Sequence, residues 1–205
     1  MSKRESSRFL ITQSLLSAWR WSLILETGYD DFLKTLRREP IQPNKAMLDG
    51  IRFENCLNAV LDGAEIEPTH EWYKPIMELY PTLYGSQQQA SPSCEMVIDG
   101  VRFVLYGKLD FLKAGVIYDT KYSPRYPNKG NANNYIDSPQ HPFYFALVPE
   151  AREFQYKICD GKYIYTETYR PDEVEPIERT IKNFMDFLDK MNLVETYTTA
   201  WRSKF

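Results

Sequence analysis

The chain has 205 residues, 43% of them hydrophobic, enough for one domain with a real core. Its 25 Lys and Arg against 28 Asp and Glu leave a net charge of −3 and exclude a global basic field, so any nucleic-acid contact must come from a local basic rim around an acidic pocket. Three widely spaced cysteines (Cys56, Cys94, Cys159) read as buried thiols in a reducing compartment rather than a disulfide or zinc framework, and with no signal peptide or spanning segment legible the expected location is cytoplasmic, with no membrane partner.

Residues 1–8 are polar. Residues 9–25 carry Leu and Trp at helical spacing, with Trp19 and Trp21 as packing residues, and 30–38 predict a second, shorter helix. Pro40 and Pro43 interrupt the chain, and Asn44 starts a helix running to about Asp62, where Gly63 supplies a C-cap. Met47, Ile51, Leu57 and Leu61 make its apolar stripe, and Glu54 falls in the middle of it. A carboxylate there is costly unless paired or bound to a cation; alone it reads as a salt-bridged or rim residue. Residues 67–80 predict another helix, and the polar run 84–93 connects it to a strand at 94–98. Asp99-Gly100 is the strongest hairpin signal in the chain.

The strand predicted for 101–111 delivers Asp110, and after a Lys113–Gly115 turn the strand 116–122 delivers Asp119 and Lys121 on one face, with Thr120 on the other. Taken alone, Asp-x-Lys reads as a surface ion pair. If the turn closes a hairpin, Asp110 lies beside Asp119, and two carboxylates so placed repel unless a cation sits between them. Oxygen ligands suit Mg²⁺ or Mn²⁺, and a lysine beside them can orient a bound water or offset charge on a phosphate. The Pro-, Gly- and Asn-rich loop 123–134 carries Arg125 and Lys129 between Tyr122 and Tyr126, a pattern that grips a nucleic-acid strand. A solvated loop with incidental tyrosines remains the other reading.

Asp137 or Ser138 caps the next helix, with Pro139 at its first position and Gln140 and Tyr144 on one face. Its other aromatics pack on the sheet, and His141 has no assigned role. Residues 152–159 and 162–169 form a second hairpin around Asp160-Gly161, and 172–201 predict a long amphipathic helix. The expected fold is α+β in a single domain, 1–205. Its core, about 44–170, is a central mixed sheet in helix–three-strand–helix–hairpin order, flanked by N-terminal helices (9–38) and the C-terminal helix.

Four short motifs now stand in order: Gly50-x-x-x-Glu54, Gly107-x-x-Asp110, Asp119-x-Lys121 and Gln140-x-x-x-Tyr144. Each is weak, but four on the expected elements across about a hundred residues resemble the PD-(D/E)xK nuclease superfamily, in its RecB-like, phage-type exonuclease branch. The resemblance implies a restriction-endonuclease-like core and metal-dependent hydrolysis of DNA, leaving 5′-phosphate and 3′-hydroxyl ends, in a bacterial or phage-infected cell. It assigns one or two Mg²⁺ or Mn²⁺ ions to Glu54, Asp110, Asp119 and the Thr120 carbonyl, and the positioning of water to Lys121. Gln140 and Tyr144 would orient the substrate or support the site; Arg125 and Lys129 stay, from the loop's composition alone, the candidate DNA contacts. Many relatives carry His where this chain has Glu54. Iron–sulfur relatives use four cysteines bracketing the core, so no cluster is expected from three. The alternatives are a catalytically silent DNA-binding or interaction module of the same fold, and an unrelated α+β protein holding a structural ion. A homo-oligomer or protein partner is left open.

Overall fold

The computed structural model describes residues 8–25, 27–127 and 135–203. It is a mixed α+β protein built on two sheets rather than the expected one. The first four residues of the predicted N-terminal helix belong to a strand, β1 (Arg8–Thr12), and Thr12 then caps α1 (Gln13–Ser22) by accepting from the Leu15 N–H. Trp19 is buried there, whereas Trp21 is 57% exposed, against the expectation that it packs. Next come α2 (Gly28–Leu36) and α3 (Lys45–Leu61). Asn44 Oδ1 accepts from the Met47 N–H at 3.0 Å, the anticipated cap of α3. Its buried face is Phe53, Leu57, Val60 and Leu61, while Met47 and Ile51 are exposed. The inward stripe is therefore set by Phe53 packing on Trp72 and Tyr122.

α4 (Tyr73–Leu83) starts six residues later than expected; a two-residue strand, β2 (Gln87–Gln88), follows it. β3 (Ser93–Ile98) and β4 (Val101–Tyr106) form the hairpin, with Asp99 and Gly100 both at positive φ as a primed two-residue turn requires. β4 lies between β3, antiparallel, and β1, parallel, in a three-stranded sheet. The strand expected to run from 101 to 111 breaks after Tyr106. Asp110 sits at a bend, and β5 (Phe111–Lys113) begins the second sheet. Gly107 lies at this break, where a Cβ would come within 2.6 Å of Tyr144 and 2.8 Å of Leu147.

The five-stranded sheet runs β2-β5-β6-β7-β8, with β6 (Val116–Tyr122), β7 (Glu153–Cys159) and β8 (Ile164–Tyr169). β5 and β6 pair antiparallel across the anticipated Lys113–Gly115 turn, and β6 and β7 pair parallel with α5 (Gln140–Leu147) as their crossover. Pro139 stands one place before the first turn of α5, not in it, and Ser138 Oγ accepts from the Gln140 N–H at 3.2 Å. The C-terminal segment is two helices, α6 (Ile177–Lys190) and α7 (Val194–Ala200), because the chain turns left-handed at Asn192 (φ +56°). α7 returns the chain to β1. Leu10 N–H donates to the Trp201 carbonyl at 2.7 Å, and Ser203 N–H to the Arg8 carbonyl at 2.8 Å.

One core cluster gathers α1, α2, α5 and α6 with one face of the five-stranded sheet; a second lies between its other face and α3 and α4. Among the described residues no helix is long and apolar enough to cross a membrane. Cys159 is buried, Cys56 and Cys94 are half-buried, and all three are free thiols.

Candidate active site

The site is built around β6. Strand alternation puts Thr120 and Tyr122 toward α3, and Asp119 and Lys121 toward α5. Asp119 is 5% exposed, so its charge needs partners. Gln140, at the first turn of α5, donates from Nε2 to Asp119 Oδ1. Lys121 Nζ lies 2.7 Å from Oδ2, an ion pair that is poorly aligned as a hydrogen bond. Burial draws the Lys121 ammonium toward neutrality, but Asp119 and Asp110 overcome this and hold its pKa above the ordinary lysine value.

Asp110 reaches the same place from the bend before β5. Its Oδ2 accepts from the Thr120 N–H at 3.1 Å, which fixes it beside Asp119 across the β5–β6 pair. Burial and then the Asp119 charge push its pKa well above the usual carboxylate range; Lys121 and the Thr120 N–H offset part of this, and Glu54 adds to it. Glu54, half-buried on α3, acts on Asp110 through its charge. Among the described residues no group of three or more His, Cys, Asp and Glu side chains is close enough to hold a metal ion. In chemistry the donor set fits a hard divalent cation: two neighbouring carboxylates and a third within electrostatic range. In spacing, the three do not gather closely enough to form such a group.

Tyr144 is 5% exposed, and its hydroxyl donates to the Lys108 carbonyl at 2.7 Å. Its ring occupies the space a Cβ on Gly107 would fill. The last motif therefore braces the backbone that carries Asp110, which makes Tyr144 a positioning residue. Gln140 is likewise 5% exposed and spent on Asp119, so neither side chain is placed to grip a nucleic-acid strand. Arg125 is exposed just past β6; Lys129 lies outside the described residues. The two tyrosines expected to flank them as stacking rings turn inward instead. Tyr122 stacks on Phe53, and the Tyr126 hydroxyl donates to Glu167 at 2.7 Å.

Three neighbours went unread in the sequence: Tyr135, Tyr156 and Glu167. The signal for Glu167 is present, because period-two alternation along β8 puts it on the inward face with Tyr169. His141 is buried, 3.2 Å from the Tyr156 hydroxyl and stacked on Tyr169, and burial lowers its pKa to about 4. It is thus a neutral packing group on the far side of Gln140.

No protein-family model matches the chain, and no curated protein matches it. Among solved structures, one described as "Crystal structure of SSO0001" resembles it with a TM-score of 0.51 at 16% identity, covering 91% of this chain and 79% of that one. At that identity the likeness shows a shared fold and nothing finer.

Proposed function

We propose that the chain is a divalent-metal-dependent deoxyribonuclease of the PD-(D/E)xK, RecB-like type, acting as an exonuclease in phage or bacterial DNA processing, recombination or repair. The observation that carries this reading is the convergence of three separate motifs on β6. Gln140 from α5 and Lys121 from β6 hold the two oxygens of Asp119, Asp110 is pinned to the Thr120 N–H, and Tyr144 braces the chain that delivers it. A mere surface ion pair would need none of this support.

Mg²⁺ or Mn²⁺, held by Asp110, Asp119 and the Thr120 carbonyl with Glu54 as third carboxylate, would supply Lewis acidity at the phosphate and a more acidic bound water. Gln140 locks the Asp119 rotamer, so that Oδ2 rather than Oδ1 faces Lys121. The Lys121 ammonium donates to a water or to a non-bridging phosphate oxygen, offsetting charge as it develops. None of these groups reads a base, so cleavage should be nearly indifferent to sequence.

One observation favours the second reading, a catalytically silent DNA-binding or interaction module of the same fold. Asp110, Asp119 and Glu54 do not gather as a metal-holding group, with Lys121 already paired to Asp119. Both readings are tested by incubating wild type and Asp119→Asn with linear and covalently closed circular DNA in Mg²⁺, Mn²⁺ or EDTA. Metal-dependent loss of linear DNA alone, abolished in the variant, supports the exonuclease. Nicked circles would make it an endonuclease. Folded protein that binds DNA but never cleaves it would leave the silent module.

A further inference from the structure

A second polar constellation lies on the α5 side of the sheet, outside the four motifs. Glu167 on β8 is 5% exposed, and a carboxylate that deep is tolerated only when its oxygens are satisfied. Oε1 accepts from the Tyr126 hydroxyl at 2.7 Å, and Oε2 accepts from the Tyr169 hydroxyl at 2.7 Å and the Tyr135 N–H at 3.2 Å. Tyr126 comes shortly after β6, and Tyr135 shortly before α5. One buried carboxylate therefore fixes the chain at two points along the connection between the Asp119–Lys121 strand and the Gln140 helix.

The fixed position of Tyr135 has a direction. Its ring stacks on Tyr156, with centroids 4.4 Å apart and planes 20° from parallel. Tyr156 is the register partner of Asp119 in the parallel β6–β7 pair, and side chains at paired positions project to the same face. The Tyr135 ring thus lies over the row that holds Asp119, with Lys121 the next residue on that face. Tyr135 is half-buried, and its hydroxyl has no hydrogen-bond partner among the described residues and is not sealed away from solvent. Lys121 and Asp119 both act electrostatically on that hydroxyl, with opposite signs.

We propose that Tyr135 is a substrate-contacting residue of the Asp119–Lys121 site, its phenol donating to a phosphate oxygen of a nucleic-acid strand, and that Glu167 positions it. The proposal rests on the nuclease reading and extends it, adding a neutral donor beside the lysine. Tyr135 is held by its ring on Tyr156 and its backbone on Glu167, so its hydroxyl meets a phosphate without first losing conformational freedom.

The test compares wild type, Tyr135→Phe, Glu167→Gln, the double variant and, as a control, Tyr163→Phe on the 54%-exposed Tyr163. Each is assayed for cleavage of linear DNA in Mg²⁺ and Mn²⁺ and for binding of a fluorescent oligonucleotide in Ca²⁺. Tyr135→Phe keeps the stack and the N–H, so its melting temperature should match wild type while kcat/KM falls about 10- to 100-fold, the worth of one hydrogen bond to a charged oxygen. Tyr163→Phe should change neither. If Glu167 acts through Tyr135, the double variant loses little more than Tyr135→Phe alone; full multiplication of the two losses would overturn the positioning role. Active wild type with undiminished Tyr135→Phe overturns the contact and leaves the nuclease standing. Should wild type bind but not cleave, a weaker Kd for Tyr135→Phe supports the contact and an equal one overturns it. Wild type that neither binds nor cleaves overturns both readings together.

Discussion

At the scale of single residues, the site depends on groups that are spent on one another. Gly107 is the clearest case, since Tyr144 and Leu147 already fill the place of its Cβ. Gly107→Ala should cost about 1–3 kcal/mol by overpacking, read as a lower urea midpoint, and should move Asp110 by displacing the Tyr144 brace. His141 carries a prediction of a different kind. Its pKa falls from the ordinary 6.5 to about 4 on folding, so between those values the unfolded chain binds a proton that the folded chain does not. Its contribution is complete above pH 6.5 and is lost as pH falls toward 4, a loss on the order of 3 kcal/mol by linkage. In an Asp110→Asn background, which removes the opposite pH dependence of that raised carboxyl, urea titrations at pH 7.5, 6 and 5 should show the decline, and the His141 ring signals should stay in the neutral form at pH 5.5. Much of the site was legible at this scale, because Asp119, Lys121 and Gln140 follow from strand and helix periodicity within a few residues. Glu167 was legible only as an inward-facing residue of β8; what it and Tyr135 touch depends on the β6–β7–β8 register, which no local pattern encodes.

At the scale of elements, the chain was readable where its signals are local. Asp99-Gly100 and Asp160-Gly161 make their hairpins, and Asn44 caps α3, because a turn or cap is decided by neighbouring residues. β1 was taken for helix because its pairing partner, β4, lies far along the chain. The break after Tyr106 was missed because what accompanies it is a long-range contact, α5 packed against Gly107. The division of α6 from α7 was within reach. Asn192 takes the left-handed position, its N–H bonds to the Asp189 carbonyl, and the Leu193 N–H reaches the Leu188 carbonyl at 2.8 Å, a helix stop that favours Gly or Asn. Asn192→Gly should therefore be close to neutral, and Asn192→Val should lower stability by about 1–2 kcal/mol in urea melts. Activity, if the nuclease reading holds, should follow neither change, since Asn192 lies in the turn between α6 and α7, which carry none of the candidate site residues.

At the scale of the whole molecule, two sheets share the work. The five-stranded sheet carries the candidate site between α3 on one face and α5 on the other, and the three-stranded sheet packs with the helices behind it. The end of the chain is bound into this second unit, where the Trp201 indole donates to the Leu36 carbonyl at 2.8 Å and the Tyr197 hydroxyl to the Leu10 carbonyl at 3.1 Å. β1 pairs with β4 on one side only, and what covers its other side is the returning segment around Trp201 and Ser203. That segment is a cap on an open strand edge. Without it, the Leu10 N–H and Arg8 carbonyl would be left to recruit a strand from another molecule. A chain ending at residue 193 should elute as larger, self-associated material than the full chain in size-exclusion chromatography, and a proline placed at Leu10, whose N–H faces that edge, should suppress that association. The segment after α7 thus covers a strand edge as well as closing the core.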